Sequence, residues 1–115
     1  MGGLKNSDLE IFDDERSLRS RVRRTVLLYL YKISKAGKKV TAYEIAQGTG
    51  ICYPNVRGAL SGLAGRFSRV LSLACRGMVI EEKASSGSSV YSLTEKGQFI
   101  ANLKLNEGKL PEIDV

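Results

Sequence analysis

Residues 41–63 read TAYEIAQGTGICYPNVRGALSGL, and this stretch decides the fold. Thr41 and Glu44 stand three apart, the spacing of a capping box that satisfies two orphan backbone N–H groups at a helix start. Gly48-Thr49-Gly50 then breaks the helix, because two glycines can take backbone angles closed to other residues. Proline disfavours helical angles in the residue before it, so Tyr53 is expected as the cap of a second helix and Pro54 as its first residue. Two short helices around a tight glycine-containing turn form a helix-turn-helix, whose second helix reads the DNA major groove in known cases.

Within that second helix Val56, Ala59, Leu60 and Leu63 make an inward stripe. The opposite side presents Pro54, Gly58, Ser61 and Gly65, a bare face that would let the backbone approach DNA closely. Tyr53, Asn55 and Arg57 are then left to reach base edges from the helix N-terminus. Gly62 and Gly65 offer two places to end the helix, with Gly65 the expected one.

Upstream, Val22, Val26, Tyr29 and Ile33 recur at helical spacing, so Ser17 to Ala36 reads as a helix stopped by Gly37. Leu27, Leu28 and Tyr31 fall on its far side. That second apolar face is covered either by another copy of the chain or by the N-terminal arm or C-terminal helix folding back. Five arginines, Arg16, Arg19, Arg21, Arg23 and Arg24, crowd the helix start, where the macrodipole disfavours positive charge. Phosphate or the acidic arm would supply the counter-charge.

Downstream, Phe67, Val70, Leu71 and Ala74 predict a further short helix ending at Gly77. Met78 to Lys83 and Val90 to Leu93 read as strands around a Gly/Ser tip, a β-hairpin. Thr94 is placed to cap a last helix with the stripe Phe99, Ile100 and Leu103.

The net charge of +6 understates the central part of the chain. Residues 1–15 carry five acids against one lysine and residues 105–115 three acids against one lysine; removing −4 and −2 leaves +12 on residues 16–104. A small domain that basic points to a polyanion as partner. No apolar run approaches the roughly 18 residues of a membrane span, and the expected localisation is cytoplasmic and nucleoid-associated. With no histidine and two cysteines, Cys52 and Cys75, the chain offers no zinc set and no disulfide scaffold. Cys52, just before the second helix, is read as a small apolar residue ahead of a redox switch. There is no phosphate-binding GxxxxGK[ST] motif, no nucleophile with a base and no paired carboxylates in an apolar setting, so no enzyme, cofactor or small-molecule ligand is expected.

The ordered pieces T-x-x-E-I-A, T-G-I-x-x-x-N-V-x-x-A-L-x-x-L, R-G-M-V and Y-x-L-T-x-K-G resemble winged helix-turn-helix transcription regulators of the MarR and PadR type, in their small single-domain archaeal form. The likeness covers about residues 19–104, with one departure: Leu63 and Val79 are 16 residues apart, leaving room for an inserted turn and helix. The resemblance implies an α+β, mostly α fold: a winged helix-turn-helix with a two-stranded β-hairpin wing, an extra short helix after the recognition helix, and a C-terminal helix. Residues 16–104 form that domain, between an acidic arm (1–15), read as mobile or loosely docked, and a tail (105–115).

For function, the resemblance implies sequence-specific binding of double-stranded DNA by a homodimeric transcription regulator. Tyr53, Pro54, Asn55, Arg57, Gly58 and Ser61 would occupy recognition-helix positions. Asn55 could pair two-point with adenine and Arg57 with guanine. Lys38, Lys39, Thr41 and Tyr43 would touch phosphate from the preceding helix. Lys83, Ser85, Ser86 and Ser88 are wing positions, and Arg66 and Arg69 are phosphate candidates in the insertion. The competing readings are a winged-helix protein-interaction module within a larger complex and a nonspecific chromosome-binding protein.

Overall fold

A computed structural model of the protein describes residues 6–34, 38–65 and 67–107. Helices α1 (Asn6–Ser17), α2 (Arg21–Ser34), α3 (Ala42–Thr49) and α4 (Tyr53–Ser61) precede strands β1 (Val79–Lys83) and β2 (Ser89–Leu93), and α5 (Glu95–Asn106) follows. The fold is α+β and mostly helical, with a two-stranded antiparallel hairpin and a C-terminal helix. Among the described residues no helix is long and apolar enough to cross a membrane.

The capping box forms as its spacing requires. Thr41 Oγ1 accepts from the Glu44 amide at 3.1 Å, and Glu44 Oε1 accepts from the Thr41 amide at 3.0 Å. Gly50 closes α3 at φ 75°, a left-handed angle that suits glycine. The cap of α4 is Cys52 rather than Tyr53, because the Cys52 carbonyl already accepts the first helical bonds, from Asn55 (3.0 Å) and Val56 (3.1 Å). Thr41→Ala is expected to destabilise the fold by about 1 kcal/mol through loss of the cap. Urea unfolding should show this as a lower midpoint at unchanged slope.

Helix α2 lies at the centre of the core. Val26, Leu27, Tyr29 and Leu30 are buried on it, in one cluster with Ile45 of α3, Val56, Ala59 and Leu60 of α4, and Tyr91 of β2. Its second face is closed inside the chain: Leu27 and Leu28 are fully buried, and the Tyr31 hydroxyl donates to Asn102 Oδ1 of α5 at 3.1 Å. That face therefore offers nothing to a second copy. The helix begins at Arg21 rather than Ser17, after a break at residues 18–20. The expected stop at Gly37 lies outside the described residues.

The arginines at the start of α2 serve α1. Arg24 Nη1 donates to the Leu18 and Arg19 carbonyls (2.8 and 2.9 Å), and Arg23 Nη1 to that of Ser17 (3.3 Å). Cations thus meet the negative end of one helix dipole beside the positive end of the next. The described part of the arm, from Asn6, is helical, and charge docks it. Asp14 pairs with Lys96 (3.1 Å) and Arg76 (4.0 Å), Asp13 with Arg76 (3.6 Å), and Glu15 with Lys104 (2.6 Å). Asp14 and Lys104 are both buried, so removing one partner leaves a charge with little water to solvate it.

The extra helix expected between residues 65 and 76 does not form. Gly62, at φ 91°, ends α4 three residues before the expected Gly65. Leu63 and Phe67 then pair through two backbone bonds of 3.0 and 2.8 Å, and the chain continues in turns. Its amides are drawn to α4: Leu73 N–H donates to the Ala59 carbonyl (3.0 Å) and Ala74 N–H to that of Leu60 (2.9 Å). Capping the open end of α4 competes with a local helix, and it wins. Leu73 is buried as a result while Val70, expected inward, is exposed.

The hairpin pairs Val79 with Leu93, Glu81 with Tyr91 and Lys83 with Ser89. Val40 adds a bridge to Tyr91 with bonds of 3.1 and 2.7 Å, tying the segment before α3 to the wing. Thr94 caps α5 as expected, accepting from the Gly97 amide at 3.0 Å. The inward face of α5 is Gly97, Ala101 and Lys104, with Ile100 partly buried, whereas Phe99 and Leu103 point outward. Small residues win the inward positions because α5 packs close against the start of β1.

Candidate functional site

The starts of α3 and α4 and the wing converge on one open cleft of about 380 Å³, lined by Thr41, Ala42, Tyr43, Tyr53, Arg57, Ser88, Ser89 and Tyr91. The turn at Gly50 sets the two helix starts side by side, and the Val40–Tyr91 bridge brings β2 under them. Of the residues picked out by sequence, the cleft unites Thr41, Tyr43, Tyr53, Arg57 and Ser88.

Arg57 is the cation of this cleft. One turn after Tyr53, its Nη1 donates to the Tyr53 hydroxyl at 3.1 Å, and the guanidinium carbon lies 5.9 Å from the Tyr53 ring centre. The Tyr53 hydroxyl raises the Arg57 pKa and outweighs partial burial, which lowers it; Tyr91 and Glu81 act in the raising direction. The side chain is thus exposed, charged and already held, with less rotamer freedom to lose on meeting a ligand. Tyr43 is arranged alike: its hydroxyl accepts from Gln47 Nε2 at 3.0 Å, and the ring is exposed.

Other candidates are placed differently. Gly58 is buried under Phe67, and a Cβ there would stand 2.3 Å from the Phe67 ring, so this residue is not on an open face. Phe67 in turn lies beneath the Arg23 guanidinium, 5.7 Å from ring centre to carbon. The middle of that outer face, at Gly58, is therefore covered by the segment that follows α4, while Pro54 and Gly65 at its ends stay exposed. A small residue looks the same in sequence whether its face is open or closely packed. Asn55 is half-buried and its Oδ1 is buried without a hydrogen-bond partner, so two-point pairing with a base requires the side chain to turn outward.

Pro54 is exposed at the start of α4. Ser61 and Arg69 line a separate groove at the far end of α4, with Ser72, Ala74, Cys75 and Glu81. Lys38 and Lys39 are exposed before α3, and Lys39 pairs with Glu82 at 2.8 Å. Ser85, Ser86 and Ser88 are exposed at the wing tip, and Lys83 Nζ donates to Ser89 Oγ at 3.0 Å. Arg66 lies outside the described residues. Both cysteines are exposed free thiols, so Cys52 at the cap of α4 is not the buried apolar residue expected from sequence.

Sequence reasoning missed Glu81 and Tyr91. Tyr91 forms the floor of the cleft; burial raises its phenol above the ordinary value, and the Glu81 carboxylate pushes the same way. The signal lay in the hairpin register. Val79, Glu81 and Lys83 alternate onto one face of β1, opposite Leu93, Tyr91 and Ser89; Val79, Tyr91 and Leu93 turn that face to the core, and Glu81 shares a groove with Ser61 of α4.

Two paired short helices, a hairpin and a closing helix around one tyrosine-rich cleft define a small α+β domain of winged-helix-like layout. The chain belongs to the EarA-like family, which matches residues 16–103. No curated protein matches it.

Proposed function

We propose that the protein binds double-stranded DNA sequence-specifically and acts as a transcription regulator on the nucleoid, in the cytoplasm. The start of α4 would enter the major groove, with the wing and the residues before α3 on the backbone. The observation that carries this reading is the convergence of α3, α4 and the wing on a cleft that holds Arg57 exposed and pre-oriented. The +12 charge of residues 16–104 supports it, as does the sequence resemblance to winged-helix regulators.

Lys38, Lys39, Arg69 and Lys83 would meet phosphates, with Arg57 at a base edge. Four phosphate contacts predict a slope of about −3 to −4 in log K against log salt, roughly a hundred-fold loss between about 50 and about 200 mM. Fluorescence anisotropy on a labelled duplex measures it; affinity indifferent to salt would sink the proposal.

A homodimer remains part of this reading, on a new surface. Ile11, Phe99 and Leu103 stand exposed along a groove between α1 and α5. The same groove favours the second reading, a winged-helix module that docks another protein. Retained cellular function in Arg57→Ala would separate that reading from the first.

A further inference from the structure

Three acids lie in the helix-turn-helix and wing, and two are committed: Glu44 closes the capping box and Glu82 pairs with Lys39. Glu81 is different. It is exposed on the core-side face of β1, opposite the buried Tyr91, and it borders the groove that also holds Ser61 of α4 and Arg69. Ser89 Oγ donates to its Oε2 at 2.7 Å, and Lys83 Nζ donates to Ser89 Oγ at 3.0 Å. One carboxylate oxygen is thus anchored by the wing, while Oε1 makes no hydrogen bond or ion pair with the described residues. Its charge acts in the raising direction on the pKa of both Arg57 and Tyr91.

A fixed carboxylate on a surface meant for phosphate weakens binding to every duplex alike, since it repels the backbone wherever the protein lands. It also accepts hydrogen bonds and donates none, so a base amino group is its natural partner in a groove. We infer that Glu81 is a specificity-determining residue: it disfavours DNA in general and favours sites that present an amino group to its free oxygen. This inference rests on the DNA-binding reading above. Discrimination of this kind combines one attraction with a penalty against all competitors.

The test compares wild type, Glu81→Ala and Ser89→Ala on two duplexes of equal length at one salt concentration. One duplex is selected from a random pool by the wild-type protein, and the other is of random sequence. Glu81→Ala should tighten the random duplex about 2–5-fold by removing one repulsive charge, while the selected duplex gains nothing or weakens. The affinity ratio then narrows by at least about 2–5-fold, and by more where the selected duplex weakens. Ser89→Ala, which frees the carboxylate without removing it, should narrow the ratio less and leave the random duplex unchanged. Glu81 is exposed, so melting temperatures should confirm an intact fold. If Glu81→Ala shifts both duplexes by one common factor, or shifts neither, the inference is overturned. Wild-type protein that shows no salt-dependent binding to either duplex overturns the DNA-binding reading itself, a result distinct from a wild-type preference that Glu81→Ala leaves untouched.

Discussion

Gly97→Ala is expected to lower the melting temperature by about 15 °C, from a stability loss of about 3–5 kcal/mol. A Cβ built at Gly97 would stand 2.0 Å from the Met78 carbonyl oxygen and 3.1 Å from Leu93 Cδ2. The Met78 oxygen belongs to backbone held on both sides. It accepts from the Thr94 amide at 3.1 Å, and the Met78 amide donates to the Leu73 carbonyl at 2.9 Å. The strand start therefore cannot yield, and α5 must back away. Retreat would strain the Thr94 cap on Gly97 and open the contact that buries Ala101. Alanine's better helix propensity, about 1 kcal/mol over glycine, is too small to offset this.

Gly87→Ala is the control. It sits at the wing tip with φ 89° and nothing within 4 Å, so only the backbone penalty of about 1–2 kcal/mol applies. Calorimetry on both variants measures the difference. Equal losses would show that α5 is free to move away from β1 at little cost.

What could be read from sequence was whatever short-range chemistry decides. The Thr41–Glu44 box and the Thr94 cap form because the partners lie three residues apart on one chain. The hairpin was legible because alternation and a Gly/Ser tip are both local. Residues 62–77 were misread because distant atoms fix them: Leu73 and Ala74 give their amides to the end of α4, a choice that no periodicity records. The same distance hid the site's real shape. Phe67 reads as a stripe residue of a helix, yet it roofs Gly58 and closes the middle of a face that looked open. Over residues 11–17, helix α1 turns no apolar stripe inward: the buried residues there are Asp14 and Ser17, beside the partly buried Asp13. Its docking depends on cations 62 to 89 positions further along the chain, on Arg76, Lys96 and Lys104. Arg57 was legible as a cation near a helix start, but its partnership with Tyr53 was not singled out, although the i, i+4 spacing allows it.

Arg57→Ala should weaken binding to the selected duplex by about 10–100-fold, the range of a good two-point contact to guanine. On random duplex the loss should be only a few-fold, because the phosphate contacts proposed for Lys38, Lys39, Arg69 and Lys83 would remain to carry the nonspecific term. The gap between the two losses is what marks a base reader. Arg57→Lys keeps the charge but loses the planar fork, and should behave like alanine on the selected duplex and like wild type on the random one. Tyr53→Phe removes the hydroxyl that holds Nη1 while keeping the ring beneath the guanidinium, so it should give an intermediate loss, about 3–5-fold, through lost pre-orientation. Arg57 is exposed and its hydrogen bond goes to Tyr53, also exposed, so none of these changes reaches the core. Circular dichroism and melting should match wild type. Were Arg57→Ala to weaken both duplexes equally, Arg57 would be one more phosphate contact. Base reading would then have to come from Tyr53, or from Asn55 after its side chain turns outward.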